Sequence, residues 1–162
     1  MKYLAGILAL AFTMSGQQRN VTYGSLTEGQ ILNGFRTTAV YLDDSDRAMG
    51  ARFLHVRTGF TLDLLEIQSV PQTFIWATTY PTSNMGEPHT QEHLLLGKGN
   101  KGRELASRES MALVDSSAFT MQWRTCYFFY TPAGAAAFFD HFEHTLDALL
   151  HPDYTDEEIR RE

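Results

Sequence analysis

The sequence predicts an α+β fold in which helices pack on one face of a layered, mixed or antiparallel sheet. Short runs rich in β-branched and aromatic residues, such as "TFIWATTY" at 73–80, punctuate the chain. Longer stretches with helical spacing of apolar residues, such as 132–150, lie between and after them. Groups of strands followed by pairs of helices are typical of helices layered on a single sheet.

Composition narrows the class of protein. A chain of 162 residues with 43% hydrophobic and 20% charged residues is long enough for one domain with a core. The net charge of -6 argues against nucleic acid or an anionic membrane surface as the main partner. The lone cysteine, Cys126, cannot form an internal disulfide, and its aromatic surroundings predict a small core residue.

The first residues have the pattern of a secretory signal peptide. Met1 and Lys2 precede an apolar run at 3–12, and small residues follow, with possible cleavage after Ser15 or Gly16. The run is too short to span a bilayer. We therefore expect a signal peptide at 1–16, a mature domain at 17–162, no stable membrane span, and a secreted or periplasmic protein.

The remaining elements are assigned from periodicity and from turn residues. Predicted strands cover 34–41, 73–80, 116–123 and 125–131, a strand and turn together cover 51–59, and a polar turn covers 43–51. Predicted helices cover 88–96, 103–115 and 132–150, and a last helix is capped by Asp153 or Thr155. The first helix is expected to stop at the glycine-containing stretch 97–102. The third is expected to begin at Pro132 and to bury Phe138, Phe142, Leu146, Leu149 and Leu150.

One cluster of side chains is suited to metal binding and proton transfer. It comprises His89, Glu92 and His93, in the segment "EPHTQEH". On a helix, His89 and His93 stack one turn apart, which is the spacing that two imidazoles need to bind one zinc ion. Glu92 shares roughly that face and lies where it can take a proton from a bound water. The order matches the inverted zincin motif, His-x-x-Glu-His. The alternative is that two surface histidines and a glutamate fall close together by chance.

Four stretches, 55–66, 73–99, 116–131 and 138–162, together resemble the first part of a peptidase of the pitrilysin and insulinase family, nearest its presequence-protease branch. The resemblance implies a zinc endopeptidase that hydrolyses unfolded peptides, with His89 and His93 as zinc ligands and Glu92 as the catalytic base. It also implies that the backbone of one strand holds the peptide substrate. That strand comprises Ser117, Ala118, Phe119 and Thr120, and the family usually has asparagine where Ser117 stands.

The resemblance also implies a longer enzyme. The family's third zinc ligand is a glutamate on a later helix, expected beyond Glu162, so that 17–162 is the N-terminal portion of a catalytic half-domain. Its partner would be the remaining C-terminal part of the same enzyme. Glu157, Glu158 and Glu162 match the charged helix that precedes the ligand, not the ligand itself.

Two other functions stay open. One is an S-ribosylhomocysteine-lyase-like metalloenzyme, which has a similar helix motif and would use Cys126 at the metal. The other is a non-catalytic homologue that keeps the fold as a structural or binding subunit.

Overall fold

The computed structural model describes residues 22–162, and these confirm the predicted α+β class. They form two compact units, divided between Ser69 and Val70. The first unit contains a four-stranded antiparallel sheet, and the second contains a three-stranded antiparallel sheet and four helices. No helix in this described part of the chain is both long and apolar enough to cross a membrane. The predicted signal peptide, 1–16, lies outside the described residues.

The sheet of the first unit keeps its strands in sequence order. They are β1 (Ile31–Leu32), β2 (Phe35–Leu42), β3 (Ala48–His55) and β4 (Thr61–Leu65). Strands β2 and β3 confirm the predictions at 34–41 and 51–59. However, β3 starts within the predicted turn 43–51, because Ala48 and Gly50 pair with β2. Strand β4 is not among the predicted strands, although Leu62 and Leu64 alternate with polar neighbours.

The core of the first unit lies on one face of this sheet. Leu26, Ala51 and Phe53 are buried together, and Leu26 directly follows a short 3-10 helix at Tyr23–Ser25. Burial of these apolar side chains is the main driving force for this small unit.

The sheet of the second unit has its last strand in the middle. Strands β5 (Gln72–Thr78), β6 (Asp115–Thr120) and β7 (Arg124–Tyr130) are arranged in the order β5-β7-β6. Their register brings the buried Thr125, Tyr127 and Phe129 of β7 onto one face. Within the described sheet, β6 is an edge strand, so one row of its backbone groups has no neighbouring strand.

Four helices follow or flank these strands. They are α1 (Glu87–Gly97), α2 (Gly99–Ala112), α3 (Ala135–Leu150) and α4 (Asp156–Arg161). Side chains of α1, α2 and α3 contact the same sheet face: Glu92 contacts Thr120, Glu109 contacts Ser116, and the Phe138, His141 and Phe142 rings contact Phe129. This confirms that the helices pack on one face of the sheet.

The first helix ends at Gly97, as predicted, but the second begins at Gly99, before its predicted start at 103. Only Lys98, which has an extended backbone, separates α1 from α2. The free amides at the start of α2 are satisfied from far along the chain, since Asp153 accepts from Asn100 and Lys101 and Glu158 accepts from Gly99. These distant carboxylates let α2 begin among glycines.

Helix α3 differs from its prediction in its start and in its buried face. It begins at Ala135, after Gly134 with its φ of 92°, so Pro132 lies outside it. Its fully buried residues are His141, Thr145 and Ala148, while Leu150 is 68% exposed. The ring of His141 contacts Phe129, and so do the rings of the predicted Phe138 and Phe142.

Candidate metal centre

The helix that carries the His-Glu-His cluster is tied to the loop before it. Gly86 precedes α1 with a φ of 77°, and its carbonyl accepts the amides of His89 and Thr90. Ser83 donates a hydrogen bond of 2.5 Å to Glu87 in the first turn, and this bond is the main reason that the pKa of Glu87 lies below its usual value. A carboxylate there also suits the positive end of the helix.

His89, Glu92 and His93 come together as the motif predicts. One ligand atom from each lies within 4.8 Å of those of the other two, and this group of metal-binding residue types is found within residues 22–162. The two imidazole rings stand edge to face with centroids 4.6 Å apart. Both histidines are exposed, whereas Glu92 is only 5% exposed. The cluster therefore presents two nitrogen donors to solvent above a buried carboxylate.

A glutamate from the end of the chain holds His93. Nδ1 of His93 lies 2.5 Å from Oε1 of Glu162, and Nζ of Lys98 lies 3.2 Å from Oε2 of the same carboxylate. These two contacts, that with His93 first, lower the pKa of Glu162. Because an ionised carboxylate can only accept, His93 donates through Nδ1, and in the neutral ring this leaves Nε2 as the nitrogen with a free lone pair. This is the arrangement that orients histidine ligands in metal sites.

Glu92 is held by the edge strand of the sheet. The hydroxyl of Thr120 in β6 donates a 2.5 Å hydrogen bond to Oε2 of Glu92. Tyr127 of β7 is buried nearby, and burial first, then the negative charge of Glu92, raises the pKa of its phenol. The carboxylate thus stands at the junction of helix and sheet, with one oxygen fixed.

The segment predicted to bind the substrate, 117–120, is the C-terminal part of β6. Ser117 and Phe119 are exposed, while Ala118 and Thr120 are half-buried and face the helices. Since β6 is an edge strand of the described sheet, its outward backbone groups suit pairing with an extended peptide. The side-chain bond of Thr120 to Glu92 links that edge directly to the cluster.

Cys126 does not belong to the cluster. It is fully buried, which confirms the predicted core position, and it pairs in register with Trp76 and Phe119. Its neighbour Thr125 faces the helices, so the side chain of Cys126 points to the other side of the sheet. This position gives no support to the lyase interpretation, which needs a cysteine ligand.

Glu157 and Glu158 are also engaged elsewhere. Glu158 forms a capping box with Thr155, as the predicted cap requires, and also accepts from Arg103. Hydrogen bonds from Thr155, Arg103 and Gly99 lower the pKa of Glu158 to about 2. Glu157 pairs with Arg161.

Two contacts of the cluster were not predicted: the side-chain roles of Thr120 and Glu162. The sequence offers a signal for neither, because both depend on residues that meet only in the folded chain. In comparisons with known proteins, neither a protein-family model nor a curated protein matches this chain.

Proposed function

We propose that this chain carries the zinc-binding helix and the catalytic base of a metalloendopeptidase, with His89 and His93 as metal ligands and Glu92 as general base. The observation that supports the proposal best is the His89–Glu92–His93 cluster, whose buried glutamate is anchored to an edge strand. The resemblance to the pitrilysin and insulinase family supports the same chemistry.

The donor set fits zinc. Two imidazole nitrogens with carboxylates close by are ligands that zinc prefers, and Glu162 already directs one imidazole through its Nδ1. Zinc bound there would lower the pKa of a water ligand to about 7 and polarise the substrate carbonyl. On the resemblance, the third protein ligand follows Glu162 in the longer enzyme.

In this proposal, Thr120, Glu92 and the edge of β6 have separate roles. The Thr120 hydroxyl occupies Oε2 of Glu92, which leaves Oε1 to take the proton from the attacking water and to return it to the leaving amine. An extended peptide pairs with the outer edge of β6 along Ser117, Ala118, Phe119 and Thr120. Thr120 bonds to Glu92 and also belongs to the strand that pairs with the peptide. The position of the base is therefore fixed relative to the peptide.

The partners follow from this chemistry. Unfolded peptides are the substrates, since only an extended backbone can add to the strand edge. The C-terminal part of the same enzyme completes the site. The apolar segment at 3–12 directs the protein to the periplasm or the medium.

Zinc titration of this chain tests the metal site, with His89→Ala and His93→Ala as variants and His151→Ala as the matched control. His151 is exposed at the end of α3 and pairs with Asp147. We expect each cluster variant to weaken zinc binding by at least about tenfold and the control to bind as the unaltered chain does. Equal zinc affinity in all four proteins contradicts the proposal.

Peptide cleavage tests the reaction, measured on the protein expressed from its complete gene with unfolded peptides. We expect cleavage that a chelator abolishes and zinc restores. Cleavage that survives both histidine substitutions rules out the assigned chemistry.

A further inference from the structure

Three threonine hydroxyls form a continuous chain that ends on Glu92. Oγ1 of Thr79 lies 3.0 Å from Oγ1 of Thr125, which lies 3.2 Å from Oγ1 of Thr120. Thr120 in turn donates to Oε2 of Glu92 at 2.5 Å. The threonines come from three adjacent strand segments: the residue after β5, the start of β7 and the end of β6. The chain of hydroxyls therefore crosses the whole sheet beneath the cluster.

The sheet register produces this chain. Thr120 and Thr125 are direct partners across β6 and β7, and Ala77 is the partner of Thr125 on the other side. Thr79 lies two residues beyond Ala77, so strand alternation brings its side chain to the same face as Thr125. The amide of Thr79 donates to the carbonyl of Trp123, which fixes its backbone at this position.

The carboxylate determines the direction of the bonds. An ionised Glu92 only accepts, so the single hydroxyl proton of Thr120 points at Oε2. Thr120 must then accept from Thr125, and Thr125 must accept from Thr79. Hydrogen bonds aligned in one direction polarise one another and are stronger together than separately.

We propose that Thr125 and Thr79 are positioning residues for Glu92, acting through Thr120. The inference rests on the proposed function, in which Glu92 is the general base. Thr125 is completely buried, so its rotamer is restricted by packing, and it holds the Thr120 hydroxyl in line with Oε2. This chain of three hydroxyls, the threonine relay, thereby keeps Oε2 occupied and leaves Oε1 as the oxygen that takes the proton.

A double-mutant cycle in urea unfolding tests the relay on this chain without any need for activity. Thr125→Val keeps the shape of the side chain but removes the hydroxyl, and it is combined with Glu92→Gln, a residue that Thr125 does not bond directly. We expect the effects of the two substitutions on the unfolding equilibrium constant to deviate from a simple product by about threefold or more. Thr73→Val, at the opposite end of β5 from Thr79, is the matched control and should combine with Glu92→Gln as a simple product. If the effects of Thr125→Val and Glu92→Gln on the unfolding equilibrium constant also combine as a simple product, the relay is overturned.

Kinetics on the protein from its complete gene add a second readout. We expect Thr125→Val to lower kcat roughly three- to tenfold with KM unchanged, and Thr125→Ser, which restores a hydroxyl, to recover most of it. In a Thr120→Val background, Thr125→Val should have no further effect on kcat. An equal loss in both backgrounds, or no recovery by serine, means that Thr125 has a packing role only and overturns the proposal.

Failure of the relay and failure of the proposed function give different experimental results. If the unaltered protein cleaves no peptide, the proposed function fails while the unfolding cycle still decides the relay. If Glu92→Gln abolishes cleavage but the cycle gives a simple product, the relay fails and the function stands. If the Thr125→Val variant does not fold, Thr79→Val replaces it in both experiments. Thr79 is half-exposed and lies at the end of the threonine relay that is farthest from Glu92.

Discussion

Glu162 accepts a hydrogen bond of 2.5 Å from Nδ1 of His93, although the two residues are 69 positions apart in sequence. The contact joins the end of the described chain to the helix that carries the candidate metal ligands. Lys98, just after that helix, contacts the other oxygen of the same carboxylate. Glu162 therefore controls the orientation of His93 without being one of the clustered donors.

Glu162→Gln should weaken zinc binding by about 10- to 100-fold, because the amide removes the charge that holds His93 in its tautomer and orientation. Metal titration of the purified chain measures this. Glu157→Gln is the matched control, since Glu157 pairs with Arg161 on the same helix and does not contact the cluster. Equal affinity of both variants would show that the His93 contact has no part in metal binding.

Glu92→Gln should keep zinc and lose turnover. The substitution leaves His89 and His93 in place and removes the group that takes the proton, so kcat should fall by roughly 10²- to 10⁴-fold. The measurement is peptide cleavage by the protein from its complete gene, with zinc content determined on the same sample. Normal cleavage by a zinc-loaded variant would reject Glu92 as the base.

Thr155→Ala should weaken zinc binding from a distance. Thr155 caps α4 by accepting the amide of Glu158, and loss of such a cap costs about 1 kcal/mol. Because Glu162 follows α4 directly, fraying of this short helix should loosen the contact with His93 and lower zinc affinity a few-fold. Thr155→Ser keeps the capping oxygen and should bind zinc normally. Identical losses in the alanine and serine variants would mean that capping is not the cause.

His141 should make the stability of the protein depend on pH. It is 2% exposed, its ring stands edge to face against Phe129 at 4.6 Å, and its Nδ1 has no hydrogen-bond partner among residues 22–162. Burial lowers the pKa of His141 below its usual 6.5, an effect partly opposed by Glu109 and Asp140 and increased by His144 and Arg108. The unfolded chain therefore binds the proton at a higher pH than the folded chain does.

The sign follows from this difference. Above the unfolded pKa of about 6.5 the neutral ring contributes its full stability, and that contribution is lost as the pH falls through the lower folded pKa. Urea unfolding between pH 7.5 and 5.0 should give a steeper loss of stability for the unaltered chain than for His141→Phe. His151→Gln, which changes an exposed histidine, should follow the unaltered chain. Parallel curves for all three would assign the pH dependence to other groups.

Local spacing was enough to predict the helix that carries the His-Glu-His cluster. A helix from 88 to 96 and the clustering of His89, Glu92 and His93 follow from helix periodicity, which brings residues three and four apart onto one face. The observed helix extends one residue further at each end. The buried Cys126 and the Thr155 cap were predictable for the same reason, since both depend on near neighbours in sequence.

Local spacing did not predict features that depend on contacts between residues distant in sequence. Helix α1 ends at Gly97, as the glycines predict, but α2 begins at Gly99 and not at 103, because Asp153 and Glu158 satisfy its first amides. Likewise, the apolar spacing of α3 predicts Leu150 at its buried face, but Leu150 is exposed and the polar or small His141, Thr145 and Ala148 are buried instead.

The sequence by itself determined the α+β class, the helix at 88 to 96 and the spacing of His89, Glu92 and His93 on it, because these depend on interactions within a few residues. Only the tertiary structure decided which groups surround them. Thr120 meets Glu92 and Thr125 because of strand register, and Glu162 meets His93 through packing across 69 residues. Register and packing are set by the burial of whole faces, which no short stretch of sequence contains.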